Sequence, residues 1–270
     1  MQNSGLQGPG GRAPTGGRAS ADGRTFLRVA HEALRVFADG ALELLYPTRC
    51  VSCDLPGELV CDDCRAELPW IEQRWACPCC GAPFGWLTCT ECGGDWETRA
   101  TVAALSFRGT PARMVTCYKD EHELRLAPVI AAAMATALDE ASAWPAPDGA
   151  ARIDPAQTDL LCFVPATAKA YARRGFDHME LVAHRLSHEV GVPFADVLAR
   201  HPARDQRELG KEERQTNLAG TVEVLGDVAG LGILLVDDVI TTGSSIRACA
   251  RALLDRGARE VSACALARVW

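Results

Sequence analysis

The 270-residue chain has no run of about 18 or more apolar residues, so no transmembrane helix is expected. It has no excess of positive charge: 28 Lys and Arg stand against 35 Asp and Glu, a formal net charge of −7. Overall charge therefore does not hold it on nucleic acid, although a local basic groove is compatible with this balance. Its Gly-, Pro- and Arg-rich start lacks the apolar segment of a secretory signal, and a cytoplasmic chain with no membrane partner is expected. No internal repeat is present beyond paired Cys-x-x-Cys units. Residues 1–24 offer almost nothing to bury and are expected to be a disordered tail. What is present is an ordinary globular balance, 48% hydrophobic and 23% charged, in a chain long enough for a sizeable core. At roughly 100–200 residues per domain, the length allows one large domain or two modest ones.

Apolar periodicity predicts a helix over residues 25–46, where Pro47 ends the run, and another over 125–141. Residues 100–107 read as a strand and 143–156 as a Pro- and Gly-containing loop. After that, short continuous apolar runs at 160–164, 231–236 and 260–266 alternate with helical patterns at 177–190 and 245–256. That rhythm predicts an α/β fold with a central parallel sheet of about five strands and helices on both faces.

Thirteen cysteines are present, and nine of them lie between residues 50 and 92. Cys50, Cys53, Cys61 and Cys64 make one set of two Cys-x-x-Cys pairs, and Cys77, Cys80, Cys89 and Cys92 make a second. Each turn brings two sulfurs to one side of a tight loop, and two turns complete a closed tetrahedral site without a water position. The sites are therefore expected to hold structural Zn2+, one or two ions, whose binding supplies folding free energy. Disulfides are disfavoured by compartment, and four thiolates alone do not separate zinc from iron. Sequential pairing gives a double zinc ribbon and interleaved pairing a cross-brace; spacing is compatible with both. Cys79 is the spare, and Cys117, Cys162, Cys249 and Cys264 fall in apolar segments as core residues. The histidines at 31, 122, 178, 184, 188 and 201 are dispersed and are expected on the surface.

Residues 233–245 read Ile-Leu-Leu-Val-Asp-Asp-Val-Ile-Thr-Thr-Gly-Ser-Ser. A buried strand delivers two acids to its carboxyl end, where open α/β sheets bind ligands, and a Thr/Gly/Ser loop then opens a helix. Backbone N–H groups and hydroxyls there suit a phosphate. Adjacent acids repel phosphate but suit sugar hydroxyls or a hydrated Mg2+ carried by a diphosphate. The strand at 160–164 leads to Lys169, Arg173 and Arg174, charges fit to neutralise a pyrophosphate. Residues 200–217 carry Arg200, Arg204, Arg207, Lys211 and Arg214 and read as a mobile lid, or as an ordinary loop, since Asp205, Glu208, Glu212 and Glu213 partly cancel the charge.

The loop at 233–245 resembles the phosphoribosyl-pyrophosphate (PRPP) loop of type I phosphoribosyltransferases. With the cysteine pairs before it, and with Leu45-Tyr46-Pro47, Cys80-Gly81-Ala82-Pro83, Tyr118-Lys119, Arg173-Arg174-Gly175-Phe176, Gln206-Arg207, Arg214 and Asn217, the chain resembles the ComF family over roughly residues 44–268. The resemblance implies a double zinc-ribbon module at about 47–98 before a phosphoribosyltransferase-like domain at 99–270. It implies that Asp237 and Asp238 hold the ribose hydroxyls and that Thr241, Thr242, Gly243, Ser244 and Ser245 hold the 5′-phosphate. Lys119, Arg173, Arg174, Arg207 and Arg214 are the candidate pyrophosphate and lid contacts. The implied activity is transfer of a ribose 5-phosphate group from PRPP, with Mg2+, to an unidentified nitrogenous acceptor. Its implied setting is DNA uptake in naturally competent bacteria. The alternative is a non-enzymatic or PRPP-sensing accessory protein that handles single-stranded DNA through its zinc module, with Trp70, Trp75, Trp86 and Trp96 for stacking. Asp177 and His178 stand where the family usually has Asn-Gln.

Overall fold

The apolar runs become strands buried on both faces, as a central parallel sheet requires. The structure, a computed structural model, describes residues 47–93, 96–146, 148–201 and 221–270. The expected tail and helix over 1–46, and Arg204, Arg207, Lys211 and Arg214, lie outside the described residues.

In chain order the elements are α1 (Asp62–Ala66), β1 (Thr101–Ser106), α2 (Thr110–Asp120), α3 (Ala127–Ser142), β2 (Leu160–Phe163), α4 (Ala168–Arg174), α5 (His178–Val190), β3 (Leu198–Arg200), β4 (Val222–Val224), β5 (Gly232–Ile240), α6 (Ser244–Asp255) and β6 (Glu260–Arg268). The main sheet has four parallel strands in the order β1-β6-β5-β2, and β3 and β4 form a separate antiparallel pair. Among the described residues the sheet is one strand short of the expected five. Beyond β2 the chain offers only a single bridge, Phe194 to Leu161, because Pro193 has no N–H to give and contributes only its carbonyl, to Leu161 N–H at 2.8 Å.

Side chains alternate between two cores. Leu234 and Val236 of β5 join Leu161 and Phe163 of β2 under α2, α3 and α5. Ile233, Leu235 and Ile240 join Cys162, Val164 and the Ile246, Cys249 and Leu253 stripe of α6 on the opposite face. Burying each such Val, Leu or Ile contributes about 1.5–3 kcal/mol relative to exposure. The four scattered cysteines all lie in these cores, as expected.

The cysteine-rich segment covers the free edge of β1. Trp70 forms an antiparallel bridge with Leu105, Ile71 N–H donates to the Ala104 carbonyl (2.9 Å), and Thr101 N–H donates to that of Pro78 (2.8 Å). Ile71, Ala76 and Ala103 form a small core of their own. Gly81 sits so close that a Cβ there would lie 3.2 Å from Ala103 N. An edge that would otherwise template pairing with another chain is thereby closed.

Candidate functional site

The strand carrying the acids runs further than the apolar pattern implied. The ladder between β5 and β6 continues through Asp237, Val239 and Ile240, opposite Ala265, Ala267 and Arg268. Asp237 and Asp238 are therefore held in a paired strand and are both buried. Thr241 and Thr242 are exposed beyond it, and Gly243, at φ 76°, turns the chain into α6. The helix has no side-chain N-cap, so its first turn keeps N–H donors facing the loop. Thr242 and Ser244 hydroxyls share a hydrogen bond of 2.7 Å, and Arg200 of β3 reaches Ser245 Oγ at 3.5 Å. The small cradle is lined by Asp237, residues 239–245 and Ile246.

Lys119, at the end of α2, is ion-paired with Asp238. The sequence makes Lys119 a candidate pyrophosphate or lid contact; the fold puts its ammonium on Asp238. Burial pulls Lys119 down to about 8, against the attraction of Asp237. Burial pushes Asp237 up to about 7, with Lys119 and Arg200 opposing. Arg174 reaches His178 Nδ1 at 3.4 Å and lies 3.7 Å from Asp120, whereas the exposed Arg173 turns out to Asp120 at 3.1 Å.

His178 corrects the expectation of a surface histidine. It is 6% exposed, and its Nε2 lies 3.5 Å from Asp238 Oδ2 without a hydrogen-bond partner. Burial, reinforced by Lys119 and Arg174, holds the imidazole neutral far below its ordinary value. Its backbone is fixed by the Tyr118 hydroxyl, which donates to its carbonyl (2.7 Å). Asp177 caps α5 through Met179 N–H (3.1 Å) and also accepts from Ala166 N–H (2.6 Å), pinning the loop after β2. The hidden signal was position: His178 begins a helix whose Met179, Val182 and Leu186 are core, and the first turn is buried with them.

The cysteines assemble sequentially. In each set, 50/53/61/64 and 77/80/89/92, the four sulfurs lie within 4.8 Å of one another. Sulfur pairs stand at 3.6 Å (Cys53–Cys61), 3.8 Å (Cys77–Cys92) and 3.6 Å (Cys80–Cys89). A tetrahedron of zinc–sulfur bonds of about 2.3 Å has edges of about 3.8 Å, so both sets fit a closed structural zinc site. None of these pairs is a disulfide, and all thirteen cysteines are free. A hydrogen bond from Cys80 pulls Cys77 down to about 5, readying one thiolate for the ion. Cys79 stays outside both sets; burial pushes its thiol up to about 12 against a backbone hydrogen bond from Trp96.

Of the tryptophans expected to stack on bases, Trp86 and Trp96 are engaged by the chain itself, while Trp75 is 40% exposed. Arg74 lies 4.6 Å from the Trp75 ring, Arg152 lies 5.3 Å from Trp86, and Trp96 packs against Gly243. Trp70 is 41% exposed beside β1.

Two family descriptions match the chain: the double zinc ribbon domain over residues 41–100 and the phosphoribosyl transferase domain over 172–269. Fold and sites thus define a phosphoribosyltransferase-type α/β protein with a double zinc ribbon ahead of it. That is the architecture of the ComF family. The DNA utilization protein YhgH of Salmonella typhi is 28% identical over 83% of this chain and 99% of its own. Competence protein ComFC of Bacillus subtilis is 28% identical over 79% of this chain and 85% of its own. Glutamine PRPP amidotransferase from B. subtilis aligns over 53% of this chain and 26% of that chain at 18% identity, with a TM-score of 0.34. Among the described residues, no helix is long and apolar enough to cross a membrane.

Proposed function

We propose that the chain binds PRPP at the carboxyl end of β5 and transfers its ribose 5-phosphate group to a nitrogenous acceptor. The observation that carries this reading is the sequence from a buried acid pair, Asp237-Asp238, into a Thr-Thr-Gly-Ser-Ser turn at an uncapped helix N-terminus. Acceptors for a diol and donors for a phosphate lie a few residues apart, as one ribose 5-phosphate requires. Asp237 and Asp238 accept the two ribose hydroxyls, while Thr241, Thr242, Gly243, Ser244 and Ser245 take the 5′-phosphate. Arg174, at the end of α4, is the cation we assign to pyrophosphate.

Glycosyl transfer from PRPP breaks the C1–pyrophosphate bond through an oxocarbenium-like centre. The protein's task is to orient the sugar and stabilise charge. Mg2+ arriving with PRPP would add positive charge to the leaving pyrophosphate, and the acid pair suits it in donor chemistry. The neutral imidazole of His178 holds Nε2 3.5 Å from Asp238 Oδ2 without carrying a charge that would oppose the sugar cation. The names of the two long relatives, a DNA utilization protein and a competence protein, support a role in DNA utilisation or competence. A screen for PRPP-dependent pyrophosphate release, with nucleobases, amines and ammonia as acceptors, tests the activity. Release with one acceptor class, abolished by D238N, is expected; no release with any acceptor would leave binding without transfer.

A further inference from the structure

We propose that Trp96, Glu97 and Arg268 are positioning residues that tie the phosphate loop to the second cysteine site, so that metal in that site sets the loop's order and its affinity for a ribose 5-phosphate group. The ligand in this statement rests on the reading above; the mechanical tie does not.

Three separate contacts make the tie. Trp96 follows Cys92, the last sulfur of the second set, and packs at once against the cluster of Cys77, Cys80 and Ala82 and against the core that holds Ile246. Its six-membered ring lies directly on Gly243: a Cβ built there would fall inside the indole, with Cη2 and Cζ2 its nearest atoms. Glu97 is partly buried and grips the loop's helix from the side, accepting from Arg247 Nε at 2.8 Å and Nη2 at 3.3 Å, and from Arg251. Burial opposes ionisation of Glu97, but the two guanidinium groups hold its carboxyl below the ordinary value. Arg268, at the end of β6, is 3% exposed and spans the two sites: Nε donates to the Cys80 carbonyl (3.2 Å), and Nη1 donates to the carbonyls of Ile240 (3.2 Å) and Thr241. The turn that must present its N–H groups to phosphate is thus held by an aromatic plate, a carboxylate and a guanidinium. The first two follow the cysteine site in the chain and the third bonds to it.

The physical consequence follows from how such turns bind. Donors aimed at an anion act through pre-organisation, and a turn that must order itself on binding loses affinity accordingly. A small metal module keeps its shape through the ion. Losing the ion loosens the Cys89–Cys92 arm, with it Trp96, and then the loop.

The test is amide hydrogen exchange over residues 241–247 together with calorimetric titration with ribose 5-phosphate, on the metal-loaded full chain and on W96A, W96F and E97Q, with metal content matched. Leu160–Phe163 of β2 serves as the internal control. Exchange at 241–247 should quicken about tenfold or more in W96A, with Leu160–Phe163 unchanged and the affinity for ribose 5-phosphate falling by a similar factor. W96F, which keeps an aromatic plate, should recover most of both. Chelating the metal should reproduce the W96A pattern at the loop. Unchanged loop exchange in W96A and E97Q, or after chelation, would overturn the tie. If W96A loosens the control strand as well, E97Q decides, because it keeps the ring and removes one charge. A wild-type chain that ignores ribose 5-phosphate while W96A still loosens the loop would reject the ligand and leave the tie standing.

Discussion

The ammonium of Lys119, near the end of α2, lies on the carboxylate of Asp238, two residues before the end of the central strand β5 and its Thr-Thr-Gly-Ser-Ser turn. Asp238 is buried and the Lys119 side chain is 18% exposed, so the acid proposed to grip a sugar hydroxyl is held in place and compensated by a lysine from another layer of the fold. Removing one partner strands the other.

K119M should therefore destabilise the chain by about 3–5 kcal/mol, the range for leaving one member of a buried pair unpaired. The double variant K119M/D238N should lose less than the sum of the singles. Urea unfolding with the metal present measures both. A cost for K119M below about 1 kcal/mol would mean that the pair does not hold in solution.

Asp237 gives a pH signature. Burial raises its carboxyl to about 7 from an ordinary 3.8, so the folded chain holds this proton more tightly than the unfolded chain. Stability that the protonated form confers is full below about 3.8 and is lost as the pH rises towards 7. D237N has no such proton to lose, so its unfolding midpoint relative to wild type should be higher at pH 8 than at pH 5. An equal difference at both pH values would contradict the raised carboxyl. Ribose 5-phosphate affinity should also drop in wild type as Asp237 protonates below 7, and D237N should remove the part of that slope which the phosphate's own titration does not explain.

Elemental analysis of chain purified without added metal should find close to two zinc ions per chain. The paired sulfurs at 3.6–3.8 Å in both cysteine sets match one tetrahedral ion each. Serine at Cys53 should remove one ion and serine at Cys89 the other. Iron with visible absorbance, or a chain with none, would contradict the assignment.

G243A should weaken folding and loop function together. Residue 243 sits at φ 76°, and a methyl there meets the Trp96 ring. A non-glycine residue in such a conformation costs about 1–3 kcal/mol. The clash adds to it, and W96A should relieve only the clash. Thermal unfolding of the two singles and the double separates the terms; full rescue by W96A would show that the backbone angle is not the constraint.

Much of this layout was legible in the sequence because it is local. Continuous apolar runs announced β2, β5 and β6, and the cysteine spacing announced two four-sulfur sets. What stayed hidden was tertiary. The helix Thr110–Asp120 carries Pro111 at its start and too few large apolar residues to declare itself, yet it delivers Lys119 to the acids. The hairpin of β3 and β4 joins residues on either side of the polar stretch 202–220, so no local pattern marks it. His178 looked like one more scattered histidine, because only the docking of α5 buries its first turn. Trp96 looked like an exposed aromatic of the metal module; its partner, Gly243, is in the strand–helix turn of the other family match.

The central claim is that the acid pair and the Thr-Thr-Gly-Ser-Ser turn hold one ribose 5-phosphate group. The most direct measurement is calorimetric titration of the metal-loaded chain with PRPP and Mg2+, repeated on D237N, D238N and S245A. The account predicts saturable binding of one PRPP per chain, competed by ribose 5-phosphate and weakened about tenfold or more in each variant, the worth of one charge-assisted hydrogen bond. Saturable binding that D237N, D238N and S245A leave unchanged, or the absence of binding by a chain that carries its metal, would contradict it.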